Sequence, residues 1–324
     1  MKNLSAGLSQ ILPKMNVVTQ MKSKFLMLSV VAPLALACPA LVSAAPLLGS
    51  DLASFTVLGA STVTNVPTST IVGNVGVEPG TSITGFLSSP GVAVSDPQVT
   101  SGLVHATTAV ALSAQAQLTT AILNLGSLGP GTTLILADLA GLTLSPGVYT
   151  VPAGTTNLSG ALTLDGGGNA NAGWVFQMPS TLITSPNSVV SVINTGSGAG
   201  VFWNVGSSAT IDVNTTFLGN ILALASISMN STATDLCGRA LADNGAVTLD
   251  QNRLSGICTG ELADSGGLSG GLDVITVPGG PTEVVFLPYA PVPGGGTVPE
   301  PSTMILLGAG LAGLAVLRKR FKKA

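Results

Sequence analysis

Short segments that alternate small or polar residues with large apolar ones recur between residues 209 and 249. Three of them, residues 210–213, 226–229 and 246–249, follow the same order of small and large side chains. A two-residue period is typical of a strand with one buried face. The segments start 16 and 20 residues apart (226 − 210 and 246 − 226), which is enough chain for one coil. The pattern therefore predicts a β-solenoid, in which each coil buries its inward residues against its neighbours.

This alignment of the three segments predicts which side chains share an outer wall of the solenoid. One outward file consists of Thr210, Ser226 and Ala246, and a second consists of Asp212, Ser228 and Thr248. The same spacing logic predicts that Trp174 matches Trp203 and that Phe176 matches Val205, as stacked core residues. Residues 55–66 and 71–86 also alternate, and we expect them to complete the stack.

One long helix is predicted at about residues 97–125, with its apolar stripe along the solenoid flank. Asp96 is a suitable cap, Pro97 suits the first turn, and Gly126 marks the end. His105 lies in this segment without a Cys, Asp or Glu cluster, and we expect it to be structural or exposed.

Composition supports a folded, mainly β chain and argues against nucleic acid as a partner. Of 324 residues, 46% are hydrophobic and only 8% are charged. A disordered chain has fewer apolar and more charged residues. The net charge is −3, and basic clusters occur only at the two termini. A nucleic-acid interface requires a basic surface, which this body lacks.

The N-terminal segment has the features of a secretory signal. Lys22 and Lys24 precede an apolar run at residues 25–37, and small residues follow at Ser43, Ala44 and Ala45. Cleavage is expected after Ala44 or Ala45, so that residues 1–45 form the signal, with Met21 as an alternative start. Cys38 offers lipidation as an alternative to a cysteine that is lost with the signal.

The C-terminal segment combines three features of a sorting tail. Residues 261–298 are rich in Gly, Ser and Pro and predict a flexible linker, in which residues 274–277 and 283–287 are candidates for a last hairpin or edge strand. The motif Val298, Pro299, Glu300 and Pro301 then leads into an apolar run at 304–317 and a basic end at 318–323. This tail resembles the PEP-CTERM sorting signal. The resemblance implies export, contact with an exosortase and the inner membrane, transmembrane anchoring before tail removal, and a final place at the cell surface or in the extracellular matrix; a simple anchor is the alternative.

Cys237 and Cys258 lie 21 residues apart (258 − 237), which is one coil length. In an exported chain they pair across adjacent coils or remain as two buried thiols. No metal or cofactor motif is present, and Asp165, Asp212, Asp235, Asp243 and Asp250 form no regular calcium array. No catalytic motif is found either, and an enzyme that acts on polysaccharide is disfavoured because the body is nearly devoid of Lys and Arg. We therefore expect a protein that is not an enzyme.

The body, residues 46–260, resembles the bacterial and fungal ice-binding protein family. The resemblance rests on five groups of core and corner residues: 55–65, 73–80 with 83–86, 144–149, 174–177, and 217–223. It implies a mainly β fold, a discontinuous right-handed β-solenoid (β-helix) with one long α-helix packed along its side.

The resemblance also implies adsorption to an ice crystal surface, or to ordered water, through one flat solenoid face. Carried over to this sequence, that face consists of Thr210, Asp212, Ser226, Ser228, Ala246 and Thr248, extended by Thr155, Asn157, Thr181 and Ile183. The charge of Asp212 and the less rigid serines are expected to weaken it. The alternative is a structural adhesin of the cell surface or extracellular matrix, with polysaccharide as its partner and no ice activity.

Overall fold

The structure is a computed structural model and describes residues 43–276 and 280–293. Within these ranges it contains two α-helices, α1 (Ser50–Ala53) and α2 (Ala109–Ser127), and a short 3-10 turn at Gly260–Leu262. The rest is built mainly of strands: β1 (Ser43–Pro46), β2 (Phe55–Gly59), β3 (Thr62–Val66), β4 (Thr70–Val72), β5 (Asn74–Val77), β6 (Ser82–Thr84), β7 (Ala93–Val94), β8 (Val99–Thr100), β9 (Val104–Ala106), β10 (Thr132–Thr133), β11 (Thr143–Leu144), β12 (Gly147–Thr150), β13 (Ala161–Asn169), β14 (Gly173–Met178), β15 (Leu182–Ile183), β16 (Val189–Thr195), β17 (Gly200–Val205), β18 (Ala209–Ile211), β19 (Thr216–Ala223), β20 (Ile227–Met229), β21 (Thr234–Ala242), β22 (Val247–Asp250), β23 (Arg253–Ser255), β24 (Leu272–Thr276) and β25 (Thr282–Phe286).

These strands form a β-solenoid with three walls, as predicted. The helix wall contains β10, β12, β14, β17, the second halves of β19 and β21, β2, β5 and β9. The six-stranded wall contains β15, β18, β20, β22, β3 and β6 in that order. The third wall contains β11, β13, β16, the first halves of β19 and β21, β23, β4 and β8.

The solenoid is discontinuous in sequence. Its coils run in order from residue 132 to residue 255, and the N-terminal strands β2, β3 and β4 then stack on the last of them. Helix α2 returns the chain along the helix wall to the opposite end of the stack. Because β2 to β6 add to coils formed far later in the chain, the fold depends on long-range parallel pairing.

Two apolar layers hold the solenoid together. The inner layer fills the space between the walls, and Phe176 and Trp203 stack at its centre with ring centroids 4.1 Å apart. Phe176 faces Trp203 and Trp174 faces Val201 in the ladder, so the predicted match of Trp174 with Trp203 and of Phe176 with Val205 is wrong. The predicted register was displaced by two residues. Because that displacement preserves which side chains point inward, both tryptophans are nonetheless fully buried.

Helix α2 covers the helix wall through a second apolar layer. Its small and aliphatic side chains recur at helical spacing and are fully buried: Ala111, Ala114, Leu118, Ala121 and Leu125. The predicted start near residue 97 is wrong, because residues 99–106 form β8 and β9 of the last coil. Thr108 is the true cap and accepts a hydrogen bond from Ala111 N, whereas Asp96 accepts bonds from Leu87 N and Gln98 N in a turn.

The segment expected to be a flexible stalk after residue 260 is packed on the body as far as residue 293. Strands β24 and β25 form a hairpin, and β1 adds to it antiparallel, with Ser43 opposite Thr276. Residues 287–293, which we call the strap, continue along the solenoid. Because β1 begins at Ser43, cleavage after Ala44 or Ala45 would remove part of this strand.

Several predicted features lie outside the described residues. They are most of the signal segment with Cys38, the sorting motif Val298, Pro299, Glu300 and Pro301, and the apolar run at 304–317. Among residues 43–276 and 280–293, neither helix is long and apolar enough to cross a membrane.

Residues 256–268 are fastened to the solenoid by a disulfide and by a buried arginine. Cys237 and Cys258 are bonded, with Cα atoms 4.6 Å apart. The Arg239 guanidinium donates to the carbonyl oxygens of Ala53 (2.6 Å) and Gly266 (2.9 Å) and to Asn220 Oδ1 (2.8 Å). Burial raises the pKa of neighbouring Asp235 well above its usual range, although Arg239 opposes this effect. Arg239 therefore joins β21 both to α1 and to residues 256–268.

The disulfide is expected to contribute measurably to stability. It closes a 21-residue loop, and the loss of closure entropy in the unfolded chain corresponds to roughly 3 kcal/mol. The double variant Cys237→Ser/Cys258→Ser should lower the melting temperature by about 5–10 °C in a calorimetric scan. An unchanged melting temperature in the double variant would show that the bond does not constrain the unfolded chain.

Stability should also decrease with acidification because of His105. This side chain is 7% exposed, contacts Thr108 Oγ1 through Nδ1 (3.1 Å) and packs edge-on against Phe55. Burial lowers the pKa of His105, so below about pH 6.5 the unfolded chain binds a proton that the folded protein resists. The unfolding free energy should therefore decrease from pH 7 towards pH 5 in denaturant titrations. In His105→Gln this slope should be shallower, and an identical slope would contradict the assignment.

Candidate functional site

The six-stranded wall brings together outward side chains from six coils in one central file. The ladder pairs Ile183 with Thr210, and Thr210 with Ser228. Thr248 follows Ser228, and Thr64 and Thr84 extend the file through the N-terminal coils. These side chains are exposed or half-exposed, while the residues between them point into the core. The wall therefore presents one continuous row of six small or aliphatic side chains, five of which carry a hydroxyl group.

A second file runs beside the central one, two residues earlier in each coil. Its members are Thr181, Ser208, Ser226, Ala246, Thr62 and Ser82. The hydroxyl oxygens of Ser208 and Ser226 accept hydrogen bonds from the backbone N–H groups of Ser226 (3.2 Å) and Ala246 (3.1 Å), each in the next coil. These two serines therefore join neighbouring coils as well as lining the wall.

The two files predicted from sequence are wrong in register, although all their members lie on this wall or at its edge. Thr210 aligns with Ser228 and Thr248, not with Ser226 and Ala246. Ser208, not Thr210, precedes Ser226 in its file. The predicted alignment shifted residues 210–213 by two positions, and a shift of two leaves each side chain on the same side of the sheet.

Asp212 lies at the edge of the wall, where the chain turns the corner after β18. Its Oδ1 accepts hydrogen bonds from Asn230 Nδ2 and Val213 N, both at 2.8 Å. Asn230 and Asp250 follow it along the same edge, and Ser231 donates to Asp250. The charge of Asp212, which was predicted on the flat face, therefore lies at the border of the six-stranded wall. The central and second files carry no charged side chain.

The predicted extension towards residues 155–157 is only partly correct. Thr181 and Ile183 lie on the wall, and Thr155 is exposed beyond it. Asn157 is 1% exposed, and its Oδ1 accepts a hydrogen bond from Ile183 N at 3.0 Å. The prediction for Asn157 is thus wrong: its side chain substitutes for backbone pairing between coils and is not available to a ligand.

Five residues of the two files were missed by the sequence prediction. Four come from the N-terminal coils, and the fifth precedes β18: Thr62, Thr64, Ser82, Thr84 and Ser208. Residues 61–65 and 81–84 alternate as strands do, but their place next to β22 depends on pairing with residues far away in the chain.

The geometry of the wall follows from parallel pairing. Neighbouring strands are about 4.8 Å apart, and alternate residues of one strand are about 6.6 Å apart. Six strands therefore give a grid roughly 24 Å long and two side chains wide. Among the described residues, no side-chain hydrogen bond engages the hydroxyls of Thr64, Thr84, Thr210, Ser228 and Thr248. These groups are free to bond to water.

The other two walls do not offer such a surface. The helix wall is covered by α2 and by the β1–β24–β25 sheet, through the apolar layer that includes Val175, Phe202 and Leu272. The third wall carries Arg253 and exposed aliphatic side chains, with Ile193 41% and Leu236 39% exposed. Among the described residues, the six-stranded wall is therefore left uncovered, and its two files carry short side chains, most of them with a hydroxyl group.

Several polar side chains elsewhere in the described residues are engaged in intramolecular hydrogen bonds. Across residues 43–276 and 280–293, no group of three His, Cys, Asp or Glu side chains has the geometry to hold a metal ion. His105 is buried, and Arg239 is committed to five hydrogen bonds. Two of the aspartates considered for calcium are hydrogen-bonded within the protein. Asp165 accepts hydrogen bonds from Gly167 N and Asn194 Nδ2, which lower its pKa, and Asp243 accepts a hydrogen bond from Thr119.

Comparison with known proteins is consistent with this geometry. The chain is 40% identical over 272 residues to an ice-binding protein of Nostoc sp. (strain HG1), covering 83% of this chain and 86% of the relative. A crystal structure of an ice-binding protein from the Antarctic ascomycete Antarctomyces psychrotrophicus is 35% identical, with a TM-score of 0.56, covering 64% of this chain and 96% of that chain. The structure of the ice-binding protein from an Arctic yeast is 26% identical, with a TM-score of 0.58, covering 64% and 92%.

These solved chains consist almost entirely of the matched region, so in those proteins the domain folds without a counterpart of the tail found here. The tail itself, residues 297–320, matches the PEP-CTERM protein-sorting motif, which indicates sorting for export. The sequence profile of the ice-binding-like family matches residues 57–255, well over half of the chain. The protein therefore belongs to the ice-binding-like family.

Proposed function

We propose that this protein is exported and adsorbs to ice through the six-stranded wall, without catalysing a reaction. The observation that carries the proposal is the uncharged grid of short side chains on that wall. Its hydroxyl and methyl groups repeat at the spacing of the strands, and within residues 43–276 and 280–293 neither another element nor a charged side chain interrupts the two files.

Adsorption follows from the stiffness of the grid. Threonine is restricted at χ1, so Thr64, Thr84, Thr210 and Thr248 hold their hydroxyl and methyl groups in few orientations. Water that bridges such groups makes hydrogen bonds nearly as favourable as direct ones. Because the solenoid already fixes the positions of these side chains in the free protein, binding to ice costs little conformational entropy. A regular water layer held this way can join a growing crystal face.

Similarity to named ice-binding proteins and the sorting tail also support the proposal. We infer that the sorted protein remains at the cell surface or in the extracellular matrix. An adhesin that binds extracellular polysaccharide without ice activity is the competing function. The two are separated by thermal hysteresis and ice recrystallisation inhibition, measured on purified residues 43–293; absence of both activities would overturn the ice-binding proposal.

A large side chain in the central file should abolish ice activity. In Thr248→Tyr or Ser228→Tyr the phenol ring protrudes from the grid and prevents close approach of an ice surface. Thermal hysteresis and recrystallisation inhibition should fall to the level of buffer. The matched control is Thr216→Tyr, an exposed position on the third wall, which should retain activity. Loss of activity in the control alone would place the ice contact on the third wall.

The N-terminal coils should contribute to the same surface. Thr64 lies next to Thr248 in the ladder, so Thr64→Tyr should also remove ice activity. Thr70→Tyr changes an exposed residue of the same coil on the third wall and should have little effect. Circular dichroism melting curves establish that each variant is folded. Full activity in folded Thr64→Tyr would restrict the ice contact to the C-terminal coils.

A further inference from the structure

The C-terminal hairpin packs against one corner of the solenoid through its Leu272 and Phe286 end. Strand β1 starts at Ser43 and pairs with β24, whose hairpin packs beside the first residues of β14 and β17. Gly200 begins β17 at this point, and a β-carbon there would lie 1.8 Å from the carbonyl oxygen of Gly270. The close contact shows how tightly the C-terminal segment packs along this corner of the solenoid.

The strap then fixes the direction in which the chain leaves. Asn171 Nδ2 donates to Pro288 O (2.9 Å), and Ala170 N donates to Ala290 O (2.6 Å). Ala290 N donates to Asn169 Oδ1 (3.0 Å), and Val292 N donates to Gly168 O (3.0 Å). The chain is therefore held to the body as far as Val292, and only residues 294–296 separate the strap from the matched sorting motif.

The corner that holds the strap is the one to which the six-stranded wall does not contribute. Asn169 ends β13 on the third wall, and Gly173 begins β14 on the helix wall. The six-stranded wall meets these two walls at the other corners, residues 179–181 and 184–188. In a prism of three walls, the strap thus leaves from the edge opposite the uncharged grid.

We propose that the sorted protein holds the cell on ice: its C-terminal end, left at the strap corner after tail processing, attaches it to the cell surface, and the six-stranded wall faces outward towards the ice. The inference rests on the proposed function and adds a role for the tether. An anchor at this corner leaves the grid unobstructed. Many tethered copies that contact one crystal bind it together, which raises overall avidity by two to four orders of magnitude.

Ice partitioning of whole cells tests the proposal with the full chain. Cells that process PEP-CTERM tails would express the wild type, Thr248→Tyr, Ser228→Tyr or Thr216→Tyr, with surface display measured by antibody labelling. A slowly grown ice front should capture wild-type and Thr216→Tyr cells roughly a hundredfold more often than Thr248→Tyr or Ser228→Tyr cells, as expected for multivalent attachment. A strain that expresses the protein without residues 294–324 should not display it at the surface and should not be captured.

The outcomes separate this inference from the proposed function. If purified residues 43–293 are inactive on ice, the proposed function itself fails. If that protein is active but displaying cells stay in the liquid, only the capture role is overturned. Equal capture of wild-type and Thr248→Tyr cells would also overturn it, because another surface would then hold the ice.

A bead experiment tests the orientation without the sorting machinery. Residues 43–293 contain no cysteine other than the bonded pair, so Pro293→Cys and Pro186→Cys each give one coupling site. Pro186 is exposed at a corner of the six-stranded wall. Beads coupled through position 293 should be captured by ice, and beads coupled through position 186 should be captured much less. Equal capture at equal loading would show that the place of the tether is irrelevant.

Discussion

Parallel backbone pairing between successive coils is the constraint on which the whole molecule depends. It sets the strand spacing, aligns side chains into files, and forces each inward residue to pack on its equivalents one coil away. Phe176 and Trp203 stack at 4.1 Å because their strands are in register, and Thr210, Ser228 and Thr248 line up for the same reason. The same pairing of strands therefore positions both the core side chains and the surface side chains.

The same ladder explains why a discontinuous chain can form one uninterrupted surface. Residues 62–66 and 82–84 extend the file begun by Thr210, Ser228 and Thr248 only because β3 pairs with β22. That junction is reinforced by Arg239, which reaches Ala53 on one side and the loop at Gly266 on the other. The disulfide from Cys237 to Cys258 fastens the same region. Arg239 and the disulfide both lie where the order of the coils departs from the order of the chain.

Much of this architecture could be predicted from the alternation of residues, but the register could not. The inward position of Trp174, Trp203, Ile227 and Val247 follows from a period of two, and so does the outward position of Thr210 and Ser228. A register displaced by two residues has the same alternation, and because the corners differ in length the spacing of the segments does not reveal the displacement. Thr210 and Ser228 are 18 residues apart (228 − 210), whereas the sequence pattern favoured a spacing of 16. The burial of Asn157 depends on a hydrogen bond to the next coil, and the late start of α2 depends on β9 pairing with β5. None of these contacts is local in sequence.

The central claim is that the six-stranded wall is the surface in contact with ice. Magnetisation transfer from ice protons to protein methyl groups, measured by solid-state NMR in frozen solution with labelled threonine, tests this most directly. The methyl groups of Thr64, Thr84, Thr210 and Thr248 should receive magnetisation from ice, while those of Thr70, Thr163 and Thr216 on the third wall should not. Transfer to the third-wall threonines without transfer to the other set would contradict the assignment of the ice-binding wall.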